Sequence, residues 1–232
     1  QCYSLVSITI PDTVTKIESD AFAHCKILTN ITIPNSVTSI ETFAFYSCYG
    51  LTSISIPNSV TSLGNGVFYE CTSLSNVTLP NSINCINVRT FEGCSSLTSI
   101  IIPDSVSKIG AWVFEGCTSL TNVKLPNSLD EISSGMFRDC QKLTSIDIPK
   151  GVEAIWDGAF EDCYFLKKVT IQGLLNHPFL KSIGNDAFKN CYELSSIELL
   201  QCNTDAIQWF KDNGYENALN ITVNSISIFS RD

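Results

Sequence analysis

Residues 48–71 read CYGLTSISIPNSVTSLGNGVFYEC, and residues 94–117 read CSSLTSIIIPDSVSKIGAWVFEGC. The same slots are filled in both. Leu51, Ile54, Ile56, Pro57, Ser59, Val60, Leu63, Val67, Phe68 and Cys71 reappear as Leu97, Ile100, Ile102, Pro103, Ser105, Val106, Ile109, Val113, Phe114 and Cys117. A cysteine marks the same slot every 23 residues, at Cys2, Cys25, Cys48, Cys71, Cys94, Cys117, Cys140 and Cys163, and one step of 28 leads to Cys191. The intervals do not match the period of an amphipathic helix. Ile54 and Ile56 are two apart and face one side of a short strand. Proline ends that strand because it has no N–H for a ladder. The hydroxyl two residues on (Thr13, Ser36, Ser59, Ser82, Ser105, Ser128) is placed to bond turn backbone, and Gly151 breaks the series. Val-x-x-Ile-x-x-x-small-Phe then returns along the opposite wall and closes a coil.

One coil has too little apolar surface to fold alone. Stacking must bury its Leu, Ile, Val and Phe against the next. The expected fold is an α/β-type repeat solenoid, mainly β, with about nine stacked strands roughly 4.8 Å apart, a parallel sheet on the order of 40 Å long. Composition agrees. Hydrophobic residues make up 44% and charged residues only 16%, against about 25% charged in ordinary domains. Residues 1–200 form the solenoid, with five extra residues near 172–179; residues 201–232 form a C-terminal capping segment, a short helix and then strands. A Phe near the end of the stack, such as Phe188, is expected to support fewer interfaces than one in the middle. Nine cysteines share the repeat slot, which predicts a buried column of free thiols. Cys85 is off that slot, and a Cys191–Cys202 bridge is open to either outcome.

The Leu-x-x-Ile-x-Ile-Pro … Ile-Gly-x-x-Ala-Phe-x-x-Cys pattern, complete in its second half at Ile183, Gly184, Ala187, Phe188 and Cys191, resembles the BspA-like leucine-rich repeats. The resemblance runs from Cys2 to about Leu199. It implies a curved, right-handed leucine-rich-repeat coil with a parallel concave sheet. It also implies a secreted or cell-surface adhesin or interaction protein of the kind found in anaerobic bacteria and parasitic protists, with a protein ligand such as a host matrix or cell-surface protein.

Departures from the repeat point to contact residues. The outward positions of the early strands are short and hydroxyl-rich: Thr29, Asn30, Thr32, then Thr52, Ser53, Ser55, then Ser75, Asn76, Thr78. In later repeats Ile101, Lys124, Asp147, Lys167, Lys168 and Glu198 enter that column, and the five charged residues with the tryptophans are the candidate partner contacts. Bulky rings, Phe43, Trp112 and Trp156, stand on the return path where other repeats hold Gly, Ser, Asn or Asp. Trp112 and Trp156 are candidate anchors for a protein or, alternatively, a carbohydrate. Residues 172–179 read either as a recognition loop or as a neutral bulge packed by Leu174, Leu175 and Phe179.

No catalytic, cofactor or metal set emerges. His24 and His177 are about six coils apart, so no Ser-His or Cys-His pair shares a centre. Cys-x-x-Cys is absent. Gly64-Asn65-Gly66 is repeat punctuation, since Gly110 and Gly184 share the slot of Gly64. A net charge of −9 with 14 scattered basic residues disfavours nucleic acid. No apolar run is long enough for a membrane helix, and the start of the sequence carries no signal-peptide pattern. Asn30, Asn76 and Asn220 sit in Asn-x-Thr acceptor patterns, two of which arise from the repeat itself. The expectation is therefore non-enzymatic: a protein-binding surface module, with a carbohydrate binder and a structural spacer in a longer surface protein as alternatives.

Overall fold

A computed structural model of the chain describes residues 2–172, 180, 182–200 and 204–222. The chain winds as a solenoid with two walls of parallel strands. The first wall, the concave sheet, comprises Ser53–Ser55, Asn76–Thr78, Ser99–Ile101, Asn122–Lys124, Ser145–Ile148, Lys168–Gln172, Ser196–Leu200 and Leu219–Thr222. A single bridge, Thr9 to Thr32, stands before them. The second wall consists of two-residue strands from Lys16–Ile17 to Ser182–Ile183, each holding the apolar residue of the Val-x-x-Ile half of its repeat. Alternation explains both walls: Ile54, Val77, Ile100, Val123 and Ile146 point inward and are buried, while the residues on either side of each are exposed.

The strand count differs from the expected nine in one sheet. Among the described residues eight strands are divided into separate ladders. Ser53–Ser55 pairs with Asn76–Thr78, and Ser99–Ile101 pairs with Asn122–Lys124. Ser145–Ile148 joins Lys168–Gln172, Ser196–Leu200 and finally Leu219–Thr222. The middle coils are thus coupled in doublets, and the last four strands form one continuous ladder. Turn chemistry follows the same alternation. The hydroxyls of Ser36, Ser82 and Ser128 donate to the carbonyls of Val14, Val60 and Val106 one coil back, while Ser59 Oγ is buried with no partner. The Asn81 and Asn127 N–H groups likewise donate to the side chains of Asn58 and Asp104. The sequence carries the same doublet: Asn76-Val-Thr-Leu79 and Asn122-Val-Lys-Leu125 lie 46 residues apart, and Ile-x-Ile coils alternate with them.

A phenylalanine stack runs through the core. Phe22, Phe45, Phe68, Phe91, Phe114, Phe137, Phe160 and Phe188 lie with centroids 5.1–5.7 Å apart and planes within 3–12°. Offset stacking at this separation adds about 0.5–1.5 kcal/mol per pair beyond area burial. Beside it runs the cysteine column, and its role is more than apolar filling. Each thiol donates to the carbonyl of a Phe one coil back: Cys48 to Phe22, Cys71 to Phe45, Cys94 to Phe68, Cys117 to Phe91, and Cys140, Cys163 and Cys191 onward, at 3.1–3.2 Å. Burial pushes the thiols of Cys71, Cys94, Cys117, Cys140, Cys163 and Cys191 up, Cys191 to about 12, so they keep the proton they donate; Cys48 is shifted down instead, chiefly by its hydrogen bond with Cys71. The described cysteines are free; Cys202 of the Cys191–Cys202 question lies outside the described residues.

The return path is a run of turns rather than a helix. In each coil one N–H bonds locally and the next bonds the following coil, as with Ala21 to Glu18 and then Phe22 to Ala44. Two residues per coil adopt positive φ to allow this, including Phe43 (57°), Arg89 (60°) and Trp112 (57°). Left-handed non-glycine residues cost of order 1–3 kcal/mol each, and the stack holds them.

At the C-terminal end the helix Thr204–Asp212 lays buried Phe210 on Phe188, 5.6 Å between centroids. Tyr215 Oη donates to the Phe188 carbonyl at 2.8 Å, the bond a cysteine of one more coil would make. Phe188 is therefore as enclosed as a middle Phe, against the expectation of fewer contacts; the partly open ring is Phe22 at the other end.

Along the outer turn, Arg89 Nη1 binds both Glu92 carboxylate oxygens at 2.9 Å, and Arg138 and Lys189 hold Glu161 at 3.3 and 3.1 Å. Burial outweighs Arg89 at Glu92, and with Glu115 and Glu70 nearby its carboxyl is raised to about 7; Glu115 is raised too, chiefly by burial.

Phe114→Ala should lower stability by about 3–5 kcal/mol, and Phe188→Ala by a comparable amount, with Phe22→Ala costing visibly less in denaturant titrations. A harmless Phe114→Ala would contradict the stacked core. The raised Glu92 carboxyl binds a proton in the folded chain where the unfolded one has lost it, so this group's contribution falls as pH rises from about 4.5 to about 7 and then levels. Glu92→Gln should raise stability by about 1–3 kcal/mol at pH 8 and make little difference at pH 4, read from melting temperatures across that range.

Candidate functional site

The stack leaves three exposed columns on the concave sheet. One carries Thr29, Thr52, Ser75, Thr98, Thr121, Thr144 and Lys167. The second carries Asn30, Ser53, Asn76, Ser99, Asn122, Ser145 and Lys168. The third carries Thr32, Ser55, Thr78, Ile101, Lys124, Asp147 and half-buried Glu198, with buried Thr170 between the last two. In the first column, hydroxyls turn back on the sheet: Thr52, Ser75 and Thr121 donate to the carbonyl one coil behind. That weakens the picture of a uniform hydroxyl surface, because these donors are engaged at home.

The candidate contacts separate accordingly. Lys124, Asp147 and Glu198 share the third column with Ile101, but Lys167 and Lys168 occupy the other two, and Thr170 stands between Asp147 and Glu198. Ion pairing divides them again. Lys168 binds Glu198 at 2.8 Å and Lys167 binds Glu193 at 3.2 Å. Exposed pairs of this type hold each other about as well as they hold water, worth about 0–1 kcal/mol, but each satisfies its partner's charge. Lys124 and Asp147, both exposed, form no ion pair among the described residues.

The tryptophans lie elsewhere, on the second wall and the return turn. Trp112 is half-buried: its ring covers Gly135 of the next coil, where a Cβ would come within 2.4 Å of the indole, and the Arg89 guanidinium lies over it at 4.8 Å. It is a packed ring with one face already taken by a cation. Trp156 is 44% exposed, and its indole N–H donates to Glu131 at 2.6 Å. It edges a shallow groove with Glu131, Lys108, Gly110 and Cys85. Phe43 repeats the Trp112 arrangement over Gly66.

Two exposed apolar features stand outside the candidate contacts. Ile101 is 70% exposed in the middle of the concave sheet and borders a cavity of about 380 Å³ with Thr78, Asn81 and Pro103. Its inclusion among outward-facing residues was the signal, but its charged neighbours drew the assignment. Tyr192 (75% exposed) stacks on Tyr164 at 5.8 Å beside Phe165 (50% exposed); these stand just after the cysteine, where middle coils carry Thr and Ser, so the departure was readable in the repeat. Residues 173–179, with His177, lie outside the described residues. His24 packs edge-on against Tyr46 at 4.6 Å. Among the described residues no cluster of His, Cys, Asp or Glu could hold a metal, and no helix is long and apolar enough to cross a membrane.

Comparison with known proteins agrees with this architecture. The family model for the BspA type leucine rich repeat region matches in six copies over residues 1–110 and 85–222. No curated protein matches. Among solved structures, the chain is 31% identical to the leucine-rich repeat protein of T. pallidum, covering 91% of this chain and 84% of that one with a TM-score of 0.65. A leucine rich cell surface protein of Faecalibacterium prausnitzii is 31% identical over 90% of this chain and 62% of its own, TM-score 0.57. A leucine-rich repeat protein of Eubacterium ventriosum is 32% identical over 68% of this chain and 43% of its own, TM-score 0.64. The chain thus spans less than two thirds of two of these relatives. Solenoids of this family are typically binding scaffolds rather than catalysts, and the family suggests a protein-interaction module. With its repeat, its stacked core and its matched residues in agreement, the chain belongs to the BspA-type leucine-rich repeat family.

Proposed function

We propose that this protein is a non-enzymatic recognition module, displayed on a cell surface or secreted, that binds a partner protein through its concave sheet. The observation that supports this most is the sheet itself. Three columns of side chains stand outside the core along most of the solenoid, held in register by the stack behind them, and the interior does not use them. A preordered surface loses little entropy on binding. Residues 201–232 serve as the cap of the 1–200 solenoid in this reading. The cell-surface description of the Faecalibacterium relative supports the location. A host matrix or cell-surface protein is the partner class in view.

A carbohydrate ligand is the second reading, favoured by one feature: the exposed Trp156 ring beside Glu131 and Lys108, a flat apolar face with an acceptor and a donor at its rim. Salt separates the two, since contacts through exposed charges weaken within a Debye length of about 10 Å at 0.1 M ionic strength and ring stacking does not.

Binding to a panel of extracellular matrix proteins and glycans should give one protein ligand that weakens with salt and is lost when Lys124, Lys167 and Lys168 are changed to Ser. Glycan binding that survives salt and is lost in Trp156→Ala would establish the second reading instead, and silence across the panel would favour a spacer.

A further inference from the structure

We propose that Ile101, Lys124 and Asp147, which border two of the interruptions in the concave sheet, form one recognition centre. Its ligand is a polypeptide segment bearing an apolar side chain, a carboxylate and a basic group in that order along the solenoid axis. The inference rests on the concave-face reading and adds to it a place and a ligand chemistry.

Three independent features meet there. The first is the ladder. Strand pairing is absent between Asn76–Thr78 and Ser99–Ile101, and again between Asn122–Lys124 and Ser145–Ile148. The doublets meet at these seams without the hydrogen bonds that join strands within a doublet. The second is the third column. It is Thr or Ser at Thr32, Ser55 and Thr78, on both sides of the earlier break between Thr32 and Ser55, and it departs from hydroxyl at Ile101, Lys124, Asp147 and Glu198: Ile101 faces Thr78 across one seam, Lys124 faces Asp147 across the next, and Glu198 stands within a ladder. The cavity of about 380 Å³ beside Ile101 lies on the first seam. The third is charge. Lys167, Lys168 and Glu198 are matched within the protein. Lys124 and Asp147 are exposed and unmatched among the described residues, so an acid and a base on a partner complement them in one orientation only. An exposed Ile flanked by such a pair has the make-up of a contact centre, an apolar anchor with charges that set register.

Spacing bounds the ligand. Successive coils are about 4.8 Å apart, so Ile101 to Asp147 spans roughly 10 Å, about three steps of an extended chain. One short extended segment can reach all three positions.

The test is selection of a phage-displayed library of random dodecapeptides on the whole protein, followed by titration of the enriched peptides. Enriched sequences should carry the apolar, acidic, basic order. Ile101→Ser should weaken them about tenfold, as should the exchange Lys124→Asp with Asp147→Lys, and peptides with acid and base exchanged should regain binding to that exchanged protein. All three positions are exposed, so melting temperatures should match the parent. Binding indifferent to these changes but lost in Lys167→Ser with Lys168→Ser would overturn this centre and leave the concave-face reading standing. Peptides indifferent to both sets, or no enrichment at all, would overturn both.

Discussion

Every coil of this protein is buried by its neighbours, and the structure depends on that one constraint. A 23-residue unit cannot enclose its own Leu, Ile, Val and Phe. The stacked rings from Phe22 to Phe188 and the thiol-to-carbonyl bonds beside them run continuously from coil to coil, as do the backbone bonds of the return turn. The thiol is small enough to fit between coils and, kept protonated by burial, still supplies a donor. A methyl group of the same size would leave the Phe carbonyl one bond short. The chain therefore tolerates left-handed Phe43, Arg89 and Trp112 on its turns.

The same constraint determines where freedom lies. Inward residues repeat because each must fit the coil above and below. Outward residues answer to nothing but solvent and partners, so chemical departures collect there. On the concave sheet Ile101, Lys124 and Asp147 stand beside junctions in the ladder, while Lys168 and Glu198 stand within one. On the outer turn they become the Arg89, Glu92, Arg138 and Lys189 ion-pair ladder and the packed Trp112.

Much of the fold was readable from spacing. The strand position, the proline stop, the cysteine column and the family all follow from period and residue type. The candidate site was readable only in part. Lys124 and Asp147 were visible as charges in a neutral face, but a sequence cannot show that Lys168 closes on Glu198 while Lys124 stays open, because that depends on side-chain reach across coils. Trp112 and Trp156 are both bulky rings on the return path, two slots apart in the repeat. One lies on Gly135 beneath Arg89, and the other projects beside Glu131.

The sequence by itself determined the repeat, its two-sided burial and the stacked-coil architecture, since periodicity is a local property that any neighbour of the same kind completes. Only the tertiary structure decided the closing of Phe188 by Phe210 and Tyr215 and which exposed charges are matched. These depend on the exact fit between non-identical coils, a matter of ångströms between atoms that are 23 or more residues apart in the chain.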